Sequence, residues 1–356
     1  MSEQFIGVKP VEERHRIDAG RLEDFLKQKL EGFRGPLGIE QFKGGQSNPT
    51  YRITAGGRRY ALRRKPPGKL LPSAHAVERE FKVIRALHKT GFPVAKPYVL
   101  CEDDAVIGTA FYLMDCVDGR VLWDPALPGM SKAERGAIWE ELNRVIALLH
   151  GVDYKAVGLE DFGKAGSYIE RQVGRWSKQY LASETEKVEA MDNLIAWLPK
   201  NVPATNETSI VHGDYRLDNA VFHATEPRLL AVLDWELSTL GDPLADFSYH
   251  CMSWHIPSTM FRGLEGLPLA ELGIPVERDY VAAYCKRTGR TGVDPSTWDY
   301  YMAYNMFRLA AICQGIAKRI VDGTASSEHA REAGARARPL GELGWRQVEK
   351  ILKRSH

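Results

Sequence analysis

The sequence predicts an α+β fold of two lobes, a small β-rich lobe followed by a larger and mainly helical one. A chain of 356 residues is too long to fold around one small hydrophobic core and suits two packed lobes. The first third contains short β-prone runs between turn residues, and after about residue 117 long stretches with a 3.6-residue hydrophobic period take over. One β-rich island, residues 209–236, interrupts the helical part. We therefore place the first lobe at residues 1–116 and the second at residues 117–356.

The composition is typical of a globular protein, with 44% hydrophobic and 26% charged residues. A formal net charge of +2 gives no whole-molecule field that would attract nucleic acid or an anionic membrane. No apolar run has the length of a spanning helix, and the charged N-terminus lacks a secretory signal. The five dispersed cysteines indicate neither a disulfide framework nor a zinc site. We expect a cytoplasmic protein without nucleic-acid or membrane partners, and the oligomeric state stays open.

Turn residues separate the β-prone runs of the first lobe, at a glycine-rich stretch, residues 43–48, and at residues 55–57. Ser73 is a candidate N-cap for the one helix of this lobe, and Gly91 ends it. The apolar residues of this helix recur at helical spacing: Val77, Phe81, Ile84 and Leu87. Residues 105–119 then predict one or two strands that end at a glycine turn.

Five stretches of the second lobe have helical periodicity: residues 133–152, 168–182, 188–200, 278–289 and 297–323. The final segment, residues 325–356, is predicted to be a surface helix pair. Aromatic residues are frequent between Tyr249 and Tyr304, and at this spacing they favour a helix core over a substrate cleft. If part of this set lines a cleft, it suits an apolar or acyl substrate.

The β-rich island carries the strongest functional signal, because His212-Gly213-Asp214 is followed by Asn219 and, after an apolar run, by Asp234. Phosphoryl transfer needs a carboxylate aimed at the acceptor hydroxyl and oxygen ligands that hold Mg²⁺ on the phosphates of ATP. Asp214 suits the first role, and Asn219 with Asp234 suits the second. Each residue alone is more readily explained as a turn residue. Together, in this order, they favour catalysis.

Three motifs of this region, H-G-D-x-x-x-x-N, L-D-W-E and G-D-P-x-x-D, resemble those of the aminoglycoside phosphotransferase family, small-molecule relatives of the protein kinases. The resemblance extends over about residues 44–247. It implies a bilobal protein-kinase-like fold, ATP and Mg²⁺ as cofactors, and a small-molecule hydroxyl as acceptor. It also implies that Asp214 is the catalytic base and that Asn219 and Asp234 are magnesium ligands.

Other residues of the second lobe are interpreted from the same resemblance. Arg216 lies where protein kinases carry a phosphate-contacting lysine, so it either neutralises the transferred phosphate or forms a surface ion pair. Asp246 matches an aspartate that braces the catalytic loop. The letters D-F-G occur at residues 161–163, but before the catalytic motif and without a preceding apolar strand, which favours a chance match.

The first lobe is expected to bind the nucleotide. Gly44, Gly45, Ser47 and Asn48 lie between β-prone runs and would cover the phosphates with backbone N–H groups and side chains. A glycine-rich hairpin turn has the same sequence pattern. No G-K-[ST] follows, so the stretch is not a Walker A loop.

A cation on the next strand is predicted to contact the phosphates. The sequence Y-A-L-R ends at Arg63, where kinases carry the lysine of V-A-I-K, and arginine also binds phosphate oxygens bidentately. Arg64 and Lys65 are adjacent and stay open as alternatives. Glu80 matches the carboxylate that orients this cation, with Glu78 as the alternative, since two residues along a helix point about 200° apart.

The connection between the lobes is predicted to bind adenine. Met114, Asp115, Cys116 and Val117 match the strand and hinge of the family, with Met114 as a wall of the adenine site and the backbone of the other three at the adenine edge. A plain buried strand explains the same apolar residues.

A closer resemblance concerns residues 44–51 and 62–75, which are similar to the kinase-like domains fused to some acyl-CoA dehydrogenases. That resemblance implies a hydroxyacyl-CoA or a related metabolite as acceptor, and the basic run 63–69 as a binder of CoA phosphates or of ATP. An exposed basic loop is the alternative. We expect this chain to carry the kinase-like region alone.

These interpretations combine into an ATP- and Mg²⁺-dependent phosphotransferase with an alcohol group as acceptor. An antibiotic phosphotransferase of the aminoglycoside type is the first alternative. The second is a catalytically silent module that binds a nucleotide, which the arginine at position 63 would favour and the intact Asp214, Asn219 and Asp234 oppose.

Overall fold

The computed structural model describes residues 7–43, 48–68, 75–205, 207–324 and 328–354, which divide into two compact units. The first unit contains the described residues up to Leu127 and two later segments, Asp153–Phe162 and Arg216–Ser238. The second unit contains Pro128–Val152, Gly163–Tyr215 and the described chain from Thr239 on. The sequence predicts one division after residue 116, whereas these units alternate along the chain. The lobes 1–116 and 117–356 stay a prediction.

Six strands form the main sheet of the first unit. They are β1 (Val8–Lys9), β2 (Gly38–Phe42), β3 (Thr50–Ala55), β4 (Arg58–Arg64), β5 (Pro97–Cys101) and β6 (Phe111–Asp115). Neighbouring strands are antiparallel, and their spatial order is β1-β2-β3-β4-β6-β5. Strands that follow each other along the chain need only short turns to pair in this way.

The two faces of this sheet differ in polarity, because side chains alternate along a strand. One face buries Tyr51, Leu62 and Leu113 in an apolar core with helix α1 (Ala19–Lys29). The sequence analysis missed α1, although Asp18 caps it through the N–H of Arg21 at 3.0 Å. The opposite face carries polar side chains.

Helix α2 (Val77–His88) matches the predicted helix of the first lobe, and α3 (Asp104–Ile107) is a single turn. The residue at the N-cap of α2 is Ala76, which offers no side-chain hydrogen bond. The predicted cap, Ser73, lies outside the described residues. Apolar residues of α2 at helical spacing are buried, as its periodicity predicts: Val77, Phe81, Ile84 and Leu87.

The β-rich island and its neighbours contribute five more strands. They are β7 (Arg120–Val121), β8 (Ser209–Val211), β9 (Ala220–Phe222), β10 (Leu229–Val232) and β11 (Thr239–Gly241). In the first unit, β10-β9-β7 form an antiparallel sheet. In the second unit, β8 pairs with β11. The island therefore does not form one hairpin, because β8 and β9 belong to different sheets.

The second unit is mainly helical. Its helices are α4 (Lys132–His150), α5 (Tyr168–Ser183), α6 (Glu189–Trp197), α7 (Pro243–Cys251), α8 (Leu269–Leu272), α9 (Glu277–Thr288), α10 (Pro295–Val321), α11 (Glu328–Gly334) and α12 (Ala337–Arg354). Helix α4 starts with a capping box between Ser131 and Glu134, and α10 starts with Asp294 as its cap and a proline in its first turn. A sheet-rich N-terminal region and a helical C-terminal region confirm the predicted α+β class.

The last helix is part of the core and not a surface element. Helix α12 packs on α10 and α6 and buries Leu340, Leu343 and Val348. At Gly344 a Cβ atom would lie 3.3 Å from the carbonyl oxygen of Ala303, so the absent side chain lets α12 approach α10 closely. Among the described helices, none has an apolar stretch long enough to cross a lipid bilayer.

Candidate active site

The H-G-D-x-x-x-x-N motif spans the division between the two units, which falls between Tyr215 and Arg216. Strand β8 ends at Val211, and Gly213 follows with a φ of 80°, a left-handed conformation that favours glycine. Asp214 therefore belongs to the second unit, whereas Asn219 belongs to the first.

In the first unit, the hairpin of β9 and β10 brings Asn219 and Asp234 to the same end. The amide of Leu233 donates a hydrogen bond to the carbonyl oxygen of Asn219 at 2.8 Å, and Asp234 is the next residue. Asp234 has φ 63° and ψ 65°, a left-handed conformation that aspartate adopts more readily than most residues. Such conformations are concentrated at functional sites. The hairpin thus sets both predicted metal ligands side by side along the backbone.

The donor atoms of this pair fit magnesium. An amide oxygen and a carboxylate are hard oxygen ligands, and Mg²⁺ is usually held by one or two carboxylates together with substrate phosphates. The described residues contain no group of three or more His, Cys, Asp or Glu side chains that could hold a metal ion by itself. Asn219 and Asp234 as magnesium ligands stay a prediction.

Arg63 is the centre of a charged cluster on the polar face of the main sheet. Its Nε atom lies 2.8 Å from Oε2 of Glu80, and the two side chains are only 9% and 1% exposed. Its Nη2 atom donates to Oδ1 of Asp234 at 2.8 Å and lies 3.5 Å from Oε2 of Glu236. Burial acts to lower the pKa of Arg63, but Glu80 and Asp234 outweigh it, so the pKa is raised and the guanidinium stays charged.

Two further side chains hold Glu80 in place. Asn48 donates from Nδ2 to Oε1 of Glu80 at 2.8 Å, and the hydroxyl of Tyr112 donates to Oε2 at 3.0 Å. Burial, followed by the charge of Glu80, raises the pKa of Tyr112 well above its usual value, so the phenol keeps its proton. Asn48 is fully buried and its Oδ1 atom lies 2.9 Å from Nδ1 of His75. Its predicted contact with the nucleotide stays a prediction.

The structure separates the three adjacent cations of the basic run. Arg63 meets Glu80, whereas Arg64 points to the other face of β4, where it is 3% exposed and lies near Tyr51. Lys65 forms an ion pair with Glu78 at 2.9 Å, and this pair is about one-third exposed. Glu80 is thus the inward carboxylate of α2 and Glu78 the outward one. That Arg63 and Glu80 bind the nucleotide stays a prediction.

The predicted adenine segment lies at the end of β6. The amide of Asp115 donates to the carbonyl oxygen of Lys96 at 2.9 Å, and the amide of Cys116 donates to that of Arg59 at 3.4 Å. Met114 is half-buried opposite Ala61 in the sheet. The amide of Asp115 is therefore already used, and that of Cys116 only through a long bond. The adenine contacts of Met114, Asp115, Cys116 and Val117 stay a prediction.

Gly44, Gly45 and Ser47 lie outside the described residues. Arg216, for which two roles were open, has its Nη2 atom 3.6 Å from Oδ2 of Asp218 in the first unit. This contact agrees with the ion-pair alternative, and the predicted role of Arg216 in catalysis stays a prediction.

The D-F-G letters at residues 161–163 serve packing. Asp161 pairs with Lys82, and Phe162 is buried beneath the guanidinium of Arg79, 4.4 Å from the ring centroid. The Nη2 atom of Arg79 also donates to the carbonyl oxygen of Phe162 at 2.6 Å. This segment anchors α2 in the first unit.

In the second unit, Asp246 on α7 holds the loop that carries Asp214. Its Oδ2 atom accepts from the amide of His212 and its Oδ1 atom from the amide of Gly213, both at 2.8 Å. Nε2 of His150 lies 3.2 Å from the same carboxylate. Burial raises the pKa of Asp246, but the hydrogen bond from His150 and the neighbouring histidines outweigh it and lower the pKa. An ionised Asp246 thus accepts three hydrogen bonds and braces the loop.

Asp214 itself is half-buried and directly contacts α7. The hydroxyl of Tyr249 donates to Oδ1 of Asp214 at 2.6 Å, and the amide of Asp214 donates to Nδ1 of His212 at 3.2 Å. Arg308 on α10 donates from Nη2 to the carbonyl oxygen of Gly213 at 2.6 Å. The sequence analysis missed Tyr249 and Arg308. The position of Tyr249, one helical turn after Asp246, is the signal that could have identified it.

Most aromatic residues between Tyr249 and Tyr304 form core, which is the alternative that their spacing favoured. Phe247 stacks on Tyr284 with ring centroids 3.8 Å apart, and Trp139 meets Trp254 edge-on at 4.8 Å. Buried members of this set are Tyr249, His250, Trp254, Tyr280, Tyr284, Trp298, Tyr300, Tyr301 and Tyr304. These buried side chains therefore give no support to an apolar cleft for an acyl group.

Comparisons with known proteins agree with both resemblances. The phosphotransferase enzyme family matches residues 38–301. Mouse acyl-CoA dehydrogenase family member 10 is 46% identical over 340 residues, which cover 95% of this chain. These residues cover 32% of that relative, and this chain spans less than half the length of the curated relatives it matches.

Solved structures share the fold. A Ralstonia eutropha protein named after the aminoglycoside phosphotransferases is 57% identical, with a TM-score of 0.86 over 94% of this chain and 99% of that one. Choline kinase from Cryptosporidium parvum is 11% identical, with a TM-score of 0.66 over 95% of this chain and 97% of that one. The kinase-like α+β fold is therefore confirmed, and the more distant structure indicates the fold alone.

Proposed function

The chain belongs to the phosphotransferase enzyme family, and we propose that it transfers the γ-phosphoryl group of ATP to a hydroxyl group of a small molecule with the help of Mg²⁺. The observation that carries the proposal is the cluster around Arg63. One guanidinium and the carboxylates of Glu80, Asp234 and Glu236 give it a formal charge of −2. Such a cluster complements a divalent cation and its bound phosphates together.

Each residue of the first unit has a role in this proposal. Arg63 binds phosphate oxygens through its guanidinium, and Glu80, fixed by Asn48 and Tyr112, holds that guanidinium in one orientation. Asn219 and Asp234 offer oxygen ligands to Mg²⁺, which would neutralise charge on the phosphates. Arg216 assists by neutralising the transferred group, and the loop of Gly44, Gly45, Ser47 and Asn48 covers the phosphates.

The second unit supplies the base. Asp214 accepts the proton of the acceptor hydroxyl as that oxygen attacks phosphorus, and the ionised Asp246 keeps the backbone before Asp214 in place. Only four residues of chain lie between Asp214 and Asn219. Adenine binds along the segment from Met114 to Val117.

We infer a hydroxyacyl-CoA or a related hydroxylated metabolite as the acceptor, because the curated relatives of this chain are named as acyl-CoA dehydrogenase family members. The basic run does not carry this inference, since Arg63 and Arg64 are buried and Lys65 is paired. A polycationic antibiotic is the second candidate, because the Ralstonia protein at 57% identity is named after the aminoglycoside phosphotransferases.

ATP consumption, with mass detection of phosphorylated product, tests the proposal. The panel contains hydroxyacyl-CoAs, free hydroxy acids, aminoglycosides and choline-like alcohols. We expect a product that requires MgATP and that decreases about 10³-fold in Asp214→Asn, since general base catalysis contributes on this order. The matched control is Asp192→Asn, on α6 and distant in sequence from every motif, which should keep full activity.

Two results would contradict the proposal. The first is a product that Asp214→Asn forms as fast as the unaltered protein. The second is the absence of any product from the whole panel although MgATP raises the unfolding temperature, which would favour a silent nucleotide-binding module.

A further inference from the structure

Tyr249 and Arg308 lie on two different helices, α7 and α10, and both contact the catalytic loop. The hydroxyl of Tyr249 donates a short hydrogen bond to Oδ1 of Asp214 at 2.6 Å. Tyr249 is 6% exposed, so its ring has little freedom to take another rotamer. One oxygen of the Asp214 carboxylate is therefore held at a fixed point in the second unit.

Arg308 fixes the residue before Asp214 and the ring of Tyr249 at once. Its Nη2 atom donates to the carbonyl oxygen of Gly213 at 2.6 Å, and its guanidinium carbon lies 5.0 Å from the centroid of the Tyr249 ring. The same carbon lies 5.7 Å from the centroid of the Trp176 ring on α5. Only 5% of Arg308 is exposed.

The charge of Arg308 also acts on Asp214. Burial works to lower the pKa of Arg308, but the surrounding tyrosines, followed by Asp214, outweigh it and raise the pKa, so the guanidinium is charged. A buried positive charge next to the loop attracts the carboxylate of Asp214. Its contacts are a carbonyl oxygen and aromatic faces, which attract a cation without neutralising it.

We propose that Tyr249 and Arg308 are positioning residues for Asp214, holding its carboxylate in the single orientation from which it accepts the proton of the acceptor hydroxyl. This inference rests on the proposed function, in which Asp214 is the base. Asp246 holds the backbone of the catalytic loop. Tyr249 and Arg308 are two further residues, and they act on the side chain of the base. Misplacing a reacting group by about 1 Å can cost about 10²-fold in rate.

The test compares Tyr249→Phe with a matched control, Tyr301→Phe. Tyr301 also donates to a buried carboxylate at 2.6 Å, that of Asp242, so both variants lose the same kind of bond. With the acceptor found in the panel, we expect Tyr249→Phe to lower kcat by at least about tenfold while KM for ATP changes less than about twofold. Tyr301→Phe should keep kcat within about twofold at a temperature well below its unfolding midpoint.

Arg308 is tested by a conservative and a neutral replacement. Arg308→Lys keeps the charge and a donor for the carbonyl oxygen of Gly213, and we expect it to retain several-fold more kcat than Arg308→Met. If Arg308→Met does not fold, kcat of Arg308→Lys still measures the contact of Arg308, and kcat of Tyr249→Phe measures that of Tyr249.

A double-mutant cycle in unfolding midpoint needs no turnover at all. We expect Tyr249→Phe to lower the midpoint at least about twice as much in the unaltered protein as in Asp214→Ala, because the lost bond exists only in the first case. Equal shifts in both backgrounds would overturn the Tyr249–Asp214 contact.

The outcomes distinguish this inference from the proposed function. If the unaltered protein forms no product that depends on Asp214, the proposed function fails and the positioning role fails with it. If it forms product but Tyr249→Phe keeps kcat within about twofold, only the positioning role is overturned.

Discussion

The two units present their candidate catalytic residues in different ways. In the first unit, Arg63 is held by direct ion pairs with Glu80 and Asp234. In the second, Asp214 is held mainly by neutral donors: the hydroxyl of Tyr249 and, through its loop, amides bonded to Asp246.

This difference suits two different tasks. Ion pairs between side chains can be exchanged when a charged ligand arrives, and Arg63 can bind a phosphate oxygen while Glu80 still orients it. Hydrogen bonds from a buried phenol and from backbone amides have no such competitor, so a base held in this way keeps its place. One region is arranged to accept charge, and the other to keep one carboxylate fixed.

Glu80→Gln is expected to have the largest effect on stability. Gln has the shape of Glu but leaves the buried guanidinium of Arg63 with less compensating charge, and breaking a buried pair typically costs about 3–5 kcal/mol. We expect urea unfolding at pH 7 to show that the free energy of unfolding decreases by about 3 kcal/mol. This value is near the low end of that range because Asp234 still contacts Arg63. A loss below about 1 kcal/mol would show that charge does not hold this cluster together.

His250, in the second unit, is expected to make the stability of the protein depend on pH. Burial lowers its pKa to about 4, against the opposing charge of Asp246, and its Nε2 atom lies 2.8 Å from the hydroxyl of Tyr280. The unfolded chain binds a proton at about pH 6.5 and the folded chain only at about pH 4, so stability falls as pH decreases between these values. The decrease from this one group reaches about 3 kcal/mol at pH 4.

Urea unfolding at pH 7, 6, 5 and 4 measures this dependence. We expect His250→Asn to have a flatter profile than the unaltered protein, and the exposed His88→Asn to have an unchanged one. Identical slopes for the unaltered protein and His250→Asn would mean that His250 is protonated in the folded state, contrary to the expected outcome.

Lys65→Met should have the smallest effect and serves as the matched control for the Arg63 cluster. Lys65 is the second residue along the chain from Arg63 and also pairs with a glutamate of α2, but this pair is about one-third exposed. Solvent screens such a pair, so we expect a loss of at most about 1 kcal/mol in urea unfolding and no change in KM for ATP. A rise in KM comparable to that of an Arg63 variant would place Lys65 at the phosphates.

Much of the architecture could be predicted from local patterns. Short β-prone runs and turns indicated the sheet, and the 3.6-residue period indicated α2, α4, α5, α9 and α10. Helix α1 and the buried role of α12 were missed, because the surface that each helix covers is supplied by distant parts of the chain. The division of the chain into alternating units was missed for the same reason.

The candidate site shows the same limit. Spacing pointed to Asp214, Asn219 and Asp234 as residues of one motif, and period 2 in β4 implies that Arg63 and Arg64 face opposite ways. Nothing local indicated that Asn48 and Tyr112 hold Glu80, since each of them lies 32 positions along the chain from Glu80.

By itself, the sequence determined the fold class, the family and the short-range motif, because each depends on residue types at fixed separations along the chain. The tertiary structure decided which carboxylate of α2 meets Arg63, that Asp246 holds the loop before Asp214, and that Tyr249 and Arg308 surround the candidate base. These contacts join residues from 17 to 95 positions apart. Only the packing of sheets and helices brings such residues within hydrogen-bonding distance, and local periodicity does not specify that packing.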